Sequence, residues 1–591
     1  MPHTIVHHLQ KRSVKTPHLA SIHFKDNGQW RTYSWSQVYQ MVEAVGASLI
    51  ELGLKPSDRV ALISETRPEW MMTDFSIMGA GAVTVPIYPN NLPEEIAFIL
   101  NDSEAKFLIV EDLEQFEKWK KIKAECPTVK KVFVIDSANM KSDTHGASLW
   151  IDLLNEGRDK AAAFEEALEK INLDTWATLL YTSGTTGQSK GVVLNHEQIM
   201  SEIEDIFAFV NVNHNDTSLA FLPFSHVLGR VEAWGSAYLG YSLGFAESIE
   251  RLKNNFNELK PTFLIAVPRI FEKLYSAILA QAQNNPIKKK LFDWAIGVGR
   301  EYSRRLQKQE TIMPVLAAEY ALAKRLVFDK IMQGLGGRLR LAASGGAPLN
   351  SDITEFFHAV GLLILEGYGL TETTAGVTFN SPLHYKFGTV GRPLPEVEIK
   401  FAQDGEILVK SKKCLIEYYK NPAANAESFE NGFFKTGDIG ILDEDGYLKI
   451  TDRKKDLIKT AGGKYVAPQR LEGLLKNSPY ISNVLIHGDQ RKYIVALITL
   501  NEATVKSWAQ DNKVEYTNYS ELTQAPEVYS LVRDAVADAN TELASFESIK
   551  KFAVLPTEFT VESGELTPSL KIKRKIVDQR YVKQINELYG E

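Results

Sequence analysis

Apolar positions along this chain switch between two periods. Val38, Met41, Val42, Val45 and Leu49 fall at i, i+3, i+4, i+7 and i+11, the repeat of one helix face, with Ser34 and Gln37 spaced as a capping box and Gly53 as a stop. A strand-like run from Arg59 to Ile63 follows, then a helix opening at Pro68, a strand from Ala82 to Ile87, a helix from Pro93 to Leu100, and strands Lys106 to Val110 and Lys131 to Ile135. Strands alternating with helices predict a parallel sheet covered on both faces. The pattern resumes with a helical stretch from Glu197 to Val210, a buried strand over 262–267, and strands Leu339 to Ala343 and Leu362 to Leu365, each of these two followed by a glycine-bearing turn. Residues from about 270 to about 335 read as an inserted helical hairpin with a basic surface, Leu291 and Trp294 among its apolar positions. Beyond the charged run Asp452 to Asp456 come a helix from Pro468 to Leu475 and strands Asn483 to Ile486 and Tyr493 to Leu500, which predict a small α+β domain on a charged hinge.

At 591 residues the chain exceeds what one core holds, so several structural units are expected. A net charge of -7 argues against nucleic acid as the main partner. Cys126 and Cys414 are the only cysteines, too few for a disulfide framework or a Cys-based zinc site, and a reducing, cytoplasmic setting fits them. Residues Met1 to Gln10 lack the basic and apolar regions of a secretory signal, and no window of about 18 apolar residues predicts a membrane span. Any membrane contact, at the inner face, would be peripheral. The basic clusters Lys288 to Lys290 and Lys571 to Lys575 can meet anionic lipid, although a solvated face is the commoner meaning of such runs.

The densest chemistry lies in Tyr181-Thr-Ser-Gly-Thr-Thr-Gly-Gln-Ser-Lys-Gly191, set between two apolar runs. Gly184 and Gly187 let the backbone turn its N–H groups toward an anion, Thr182, Ser183, Thr185, Thr186 and Ser189 add hydroxyls, and Lys190 adds a charge. This is a phosphate loop, but two residues separate Gly187 from Lys190 and the exit is strand-like, which excludes a P-loop NTPase. Two more glycine turns follow apolar strands, where α/β sheets bind ligands: Ser344 to Pro348, with Gly345, Gly346 and Ala347, and Glu366 to Glu372, with Gly367, Tyr368, Gly369 and Thr371. Tyr368 can stack on a purine, and a carboxylate such as Glu372 near phosphates is a natural Mg²⁺ ligand. Asp438, in Thr436-Gly-Asp438, can accept both ribose hydroxyls, with Arg453 opposing it. Each has a bland reading alone: a turn, an N-cap, or, for His226, a satisfied core histidine.

Together, Tyr181 to Gly191, Gly367 to Glu372, Thr436 to Asp438, and Tyr447 to Arg453 through Gly462-Gly-Lys464 resemble the ordered core motifs of the adenylate-forming family: acyl-CoA synthetases, peptide-synthetase adenylation domains and beetle luciferases. The resemblance runs from about residue 10 to about residue 580 and its combined motifs are highly specific. Leu222 to Val227, Ala266 to Lys273, the helical insertion and Leu566 to Lys573 are most similar to bacterial long-chain fatty acyl-CoA synthetases. It implies an α/β fold: an N-terminal domain (1–451) of doubly wound sheets with a distorted β-barrel subdomain, a hinge (452–456), and a small mobile α+β domain (457–591).

The resemblance also implies a reaction. A fatty acid carboxylate attacks the α-phosphorus of MgATP, pyrophosphate leaves, and the thiol of CoA captures the acyl-adenylate. Lys571, a better match than Lys573, would bridge carboxylate and α-phosphate; the 181–191 loop, Thr186 included, would hold the β- and γ-phosphates; Glu372 and Thr185 would hold Mg²⁺. Asp438 and Arg453 are expected on the ribose, and Gly345, Gly346 and Tyr368 at the adenine. For the second step the small domain turns about the hinge and presents Lys459, Gly462, Gly463 and Lys464 to CoA. His226 is placed at the inner mouth of the acyl site, and Trp234, eight residues on and on the same helical face, in the acyl pocket. The rival readings are a fatty acyl-AMP ligase that loads a carrier protein, an amino-acid adenylation domain, a luciferase-like oxygenase and a non-catalytic acyl-nucleotide sensor. Chain length and oligomeric state, a homodimer included, are left open.

Overall fold

The computed structural model describes residues 3–136, 146–182, 189–283, 285–567 and 571–590. Its largest sheet has seven strands in the order Ser148–Leu149, Lys131–Val134, Phe107–Val110, Arg59–Ile63, Val83–Ile87, Trp176–Thr182, Lys190–Asn195. Neighbours run parallel except for the last pair, an antiparallel hairpin. The central strands are buried along almost their whole length, as their uninterrupted apolar runs require of a sheet with helices on both faces. Helix Trp35–Glu51 starts as the capping box predicts: Ser34 Oγ accepts the Gln37 amide at 3.4 Å and the Ser34 amide donates to Gln37 Oε1 at 2.9 Å.

A second parallel set, Phe263–Ala266, Leu341–Ser344 and Leu363–Tyr368, is continued antiparallel by Thr378–Phe379 and Arg392–Pro393. Beside it lies a four-stranded sheet of Thr217–Ala220, Ser242–Phe245, Ala20–Asp26 and Gln29–Ser34. Helices Pro268–Gln283, Pro286–Gln307, Pro314–Ala323 and Asp329–Gly334, with a π turn at Lys324–Phe328, fill the stretch read as an insertion. They pack through Phe271, Ala295 and Phe328 on Phe356 and Phe357 of helix Ser351–Val360. The subdomain expected as a distorted barrel is a five-stranded antiparallel sheet of Glu398–Phe401, Glu406–Lys410, Phe429–Glu430, Phe433–Leu442 and Leu448–Arg453. It has a small core of Val377, Ile407, Val409 and Leu448, and backbone bonds from Val390 to Leu448 and from Leu448 to Gly391 join it to the preceding sheet.

From Ile458 onward the chain builds a core of its own around strands Ile481–His487, Ile494–Leu500 and Ile549–Val554 and helices Pro468–Leu475 and Pro526–Thr541. The charged run before it is not uniformly exposed. Asp452 is buried, and its carboxylate accepts the Arg453 amide at 2.5 Å and the Gln469 amide, in the first turn of helix Pro468–Leu475, at 3.4 Å. Burial pushes its pKa up to about 7. Lys454 pairs on the other side with Asp404 at 2.6 Å and Glu406 at 2.8 Å. Among the described residues no helix is long and apolar enough to cross a membrane.

Candidate functional site

The phosphate loop joins strands Trp176–Thr182 and Lys190–Asn195, so it closes an antiparallel hairpin at the sheet edge and opens no helix. Ser183, Gly184, Thr185, Thr186 and Gly187 lie outside the described residues. At its described ends, Tyr181 donates a hydroxyl hydrogen bond to Asp102 at 2.5 Å, and the Lys190 ammonium stands 4.9 Å from the centre of the Tyr418 ring. Tyr418 was not singled out from the sequence, yet it links two parts of the site. Its hydroxyl donates to Glu372 Oε1 at 2.9 Å, while Val193 and Tyr419 amides bond to Glu417 and Gly191 carbonyls, pairing this segment with the strand that leaves the loop. The Leu415 amide donates to the Glu372 carbonyl at 2.7 Å.

This strap is anchored by a buried ion cluster. The fully buried Lys413 ammonium lies 2.7 Å from Asp205 and 3.2 Å from Glu202, and Glu202 also accepts the Gly376 amide at 2.6 Å. Burial raises the Glu202 pKa to about 7 even against that lysine. Breaking such a pair leaves an uncompensated buried charge, so the cluster fixes the helix His196–Ala208, the strap and the turn after Glu372 in one arrangement.

The glycine ledges divide into two kinds. Behind Gly345 and Gly346 there is ordinary room, since a side chain would come no closer than 3.5 Å and 3.8 Å to a neighbour; Gly346 has φ of 81°, and Gly346 and Ala347 are exposed. At Gly369 a Cβ would fall 1.3 Å from the Ala375 carbonyl oxygen, and at Gly367 2.7 Å from the Phe379 ring. Those two positions are therefore glycine because the turn packs against itself, with no ligand needed to explain them. Between them the Tyr368 hydroxyl donates to Asp438 Oδ2 at 2.7 Å. Asp438 is cross-strand partner to Arg453, whose Nε is 3.2 Å from Oδ1, so both carboxylate oxygens are engaged within the protein. Burial raises the Asp438 pKa, opposed by Arg453, Tyr368 and Lys571. Glu366, passed over as the residue flanking a motif, is buried beside Ser344 on the neighbouring strand end; its Oε2 accepts the Leu349 amide at 3.2 Å, its Oε1 and the Ser344 Oγ have no hydrogen-bond partner among the described residues, and its pKa is pushed up to about 7 by burial.

Lys571, on the C-terminal unit, lies within electrostatic range of Arg453, Asp438 and Glu372. Solvent still reaches its side chain, but the protein crowded around it lowers the ammonium pKa, Arg453 lowers it further, and Asp438 and Glu372 act in the opposite sense. Lys571 is also one of the charges acting on His226, whose pKa burial brings down to about 4. His226 is thus neutral at pH 7; its Nδ1 accepts the Leu228 amide at 3.2 Å, capping helix Val227–Leu239 and leaving Nε2 as the protonated nitrogen. Lys573 is used otherwise, 3.6 Å from Glu95. The hairpin bearing Lys459, Gly462, Gly463 and Lys464 is exposed on the C-terminal unit. Its described partners are Asp489, Gln490, Arg491, Tyr465 and Phe546, all of that unit. The structure thus gathers Glu372, Asp438, Arg453, His226 and Lys571, and leaves the hairpin apart.

Trp234 is fully buried, its ring 4.6 Å from the Arg230 guanidinium, which Asp74 holds from the other side at 2.6 Å. An apolar cavity of about 30 Å³ lies between helix His196–Ala208 and the second parallel sheet, lined by Phe207, Phe263, Ile265, Ala343, Leu365 and Phe379. Ala343 and Leu365 each precede Ser344 and Glu366 by one position.

A family model described as AMP-binding enzyme matches residues 9–419, and one described as AMP-binding enzyme C-terminal domain matches residues 455–591. The long-chain-fatty-acid–CoA ligase FadD15 of Mycobacterium bovis is 36% identical over 570 residues, covering 96% of this chain and 93% of that protein. The long-chain-fatty-acid–CoA ligase 1 of Homo sapiens is 30% identical over 600 residues, covering 96% of this chain and 83% of that protein. The fold is shared with the crystal structure of the anthranilate CoA ligase AuaEII in complex with anthranoyl-AMP, at a TM-score of 0.75 and 19% identity over 99% of this chain and 98% of that one. Sequence and fold agree that this chain belongs to the AMP-binding, adenylate-forming enzyme family.

Proposed function

We propose that this protein activates a long-chain fatty acid with MgATP, releases pyrophosphate, and transfers the acyl group to CoA. The observation that carries the reading is that Asp438, bonded to Arg453 and Tyr368, and Glu372 lie within electrostatic range of Lys571, in a chain whose relatives along almost its whole length are named long-chain-fatty-acid–CoA ligases.

The first step must bring a carboxylate and a triphosphate together. Lys571 supplies positive charge where those anions meet, with Arg453, Asp438 and Glu372 near enough to act on it. Arg453 fixes Asp438, and Asp438 takes the ribose by sharing the oxygens now bonded to Tyr368 and Arg453. His226, a neutral donor through Nε2, suits the carboxylate of the fatty acid.

Glu372 is a single carboxylate with one oxygen bonded to Tyr418, a donor set that fits Mg²⁺ arriving already coordinated by phosphate oxygens rather than a dedicated cage. The ion would neutralise phosphate charge there. For the second step the exposed 459–464 hairpin, with Gly463 at φ of 76°, is the surface that admits a thin pantetheine arm once the C-terminal unit turns about the 452–456 segment. The test is thioester formation from ATP, CoA and fatty acids of graded length. Adenylate formation without thioester to CoA, but with transfer to a carrier protein, would replace the reading by an acyl-AMP ligase.

A further inference from the structure

Helix Pro93–Ser103 is tied at its two ends to different parts of the candidate site. Glu95 lies in its first turn and Asp102 in its last, at i and i+7, a spacing that sets both on one face of the helix about 10 Å apart along the axis. Glu95 is held in place from its own side: Oε2 accepts the Leu92 amide at 3.0 Å and the Asn91 side-chain amide at 2.8 Å, which leaves Oε1 to meet the Lys573 ammonium at 3.6 Å. At the other end Asp102 Oδ2 accepts the hydroxyl of Tyr181, which opens the phosphate loop, and the Asp102 carbonyl accepts the ammonium of Lys420, the residue after the 415–419 strap, at 2.9 Å. Phe98, between the two, meets the Tyr181 ring edge to face at 6.1 Å. Ile96, Ala97, Ile99 and Leu100 are buried in one core with Leu179 and Val193 of the strands that flank the loop.

Asp102 does not serve the helix itself. A negative side chain in the last turn opposes the helix dipole, so the Tyr181 hydroxyl explains its presence better than helix stability does. Glu95 suits the first turn, but a glutamine would accept the Leu92 amide equally, and only the charge serves Lys573. Lys573 in turn holds the register of Lys571: its amide donates to the Glu565 carbonyl at 2.8 Å, Ile572 pairs with Leu566, and the Lys571 amide donates to Thr567 Oγ1 at 3.0 Å. The helix thus joins the segment that carries Lys571 to the strand end that opens the phosphate loop. The Glu95–Lys573 pair is partly exposed, at 35% and 24%, so it is weak enough to form and part as the C-terminal unit turns.

We propose that helix Pro93–Ser103 sets the distance between Lys571 and the phosphate loop, with Glu95 and Asp102 as positioning residues for the first half-reaction. The proposal rests on the reaction proposed above. One triphosphate has to meet the lysine and the loop at once, so an error in their spacing slows adenylate formation. The thioester step follows the turn of the C-terminal unit and is unaffected.

The test uses the full chain carrying Glu95→Gln, Asp102→Ala or both, with each half-reaction measured separately. Glu95→Gln should slow pyrophosphate release about twofold to fivefold and Asp102→Ala about tenfold, with conversion of supplied acyl-AMP and CoA at the parent rate and Tm unchanged. The double variant should be no slower than Asp102→Ala alone, because a helix released at one end no longer links the two sites. Losses that multiply, a parent-level rate in Glu95→Gln, or equal loss of both half-reactions would overturn the proposal. Amide hydrogen exchange reads the link without substrate: Glu95→Gln should speed exchange at Lys571 and Lys573 severalfold. Unchanged exchange there would overturn the proposal even in a protein that releases no pyrophosphate. A parent without pyrophosphate release removes the reaction instead, and the exchange result then decides the link.

Discussion

Lys573 reaches from the C-terminal unit to Glu95 of helix Pro93–Ser103, 3.6 Å away, while Lys571, two residues earlier, lies within electrostatic range of Asp438 and Glu372. One lysine fastens the units together and the other is near the reacting groups. Lys571→Ala should lower pyrophosphate release from ATP and fatty acid by about 10²–10³-fold while leaving conversion of supplied acyl-AMP and CoA to thioester close to the parent rate. Lys573→Ala should cost severalfold at most. Equal loss of both half-reactions in a folded Lys571→Ala protein would remove the assignment.

Tyr418→Phe deletes the hydrogen bond to Glu372 and keeps the ring under Lys190. A hydrogen bond to a charged group is worth about 1.5–3 kcal/mol, so the requirement for Mg²⁺ should rise by about tenfold or more with thermal stability little changed. Titration of the adenylation rate with Mg²⁺ at saturating ATP reads this directly. An unchanged Mg²⁺ requirement would leave Tyr418 as packing only.

Glu232 offers a pH test away from the site. It is fully buried, Ser218 donates a hydrogen bond to one oxygen, the other has no partner among the described residues, and burial pushes its pKa up to about 8. Between the ordinary carboxylate range and that value the folded state keeps a proton that the unfolded chain has released, so stability falls as pH rises, by up to about 1.4 kcal/mol per unit. Glu232→Gln should flatten this slope, seen as urea midpoints that drop less than the parent's from about pH 5 to about pH 8. Parallel slopes would mean that other groups set the dependence.

Trp234→Phe probes the proposed acyl pocket with less risk to the core than alanine, for which full truncation of a buried aromatic costs about 3–5 kcal/mol. The expected outcome is a changed ranking of fatty acids by chain length at unchanged KM for ATP. A uniform loss with a lowered Tm would make Trp234 a platform for Arg230.

What could be read from sequence tracks how each residue is buried. Arg59–Ile63 and Pro468–Leu475 agree with expectation to the residue because an apolar run and a proline start mark them locally. Helix Val227–Leu239, the helical element on which Trp234 was expected, has no polar outer face to mark its bounds, since Arg230, Glu232, Trp234 and Ser236 are all buried. The motifs pointed to Asp438, Arg453, Glu372 and Lys571, which do converge. Tyr418 and Lys413 escaped because their roles depend on partners 46 residues away or more, Glu372 in one case and Glu202 and Asp205 in the other. Gly367 and Gly369 looked like ligand-facing glycines because a missing Cβ reads the same whether a base or the chain itself occupies the space.

The strap of residues 415–419 hangs the exit strand of the phosphate loop and the Glu372 carboxylate from one short length of backbone. On the proposed chemistry the loop grips pyrophosphate and Glu372 grips the metal that accompanies it. A displacement of the strap would then loosen both grips at once, and the products of the first half-reaction would depart as a single magnesium–pyrophosphate complex rather than ion and anion in turn.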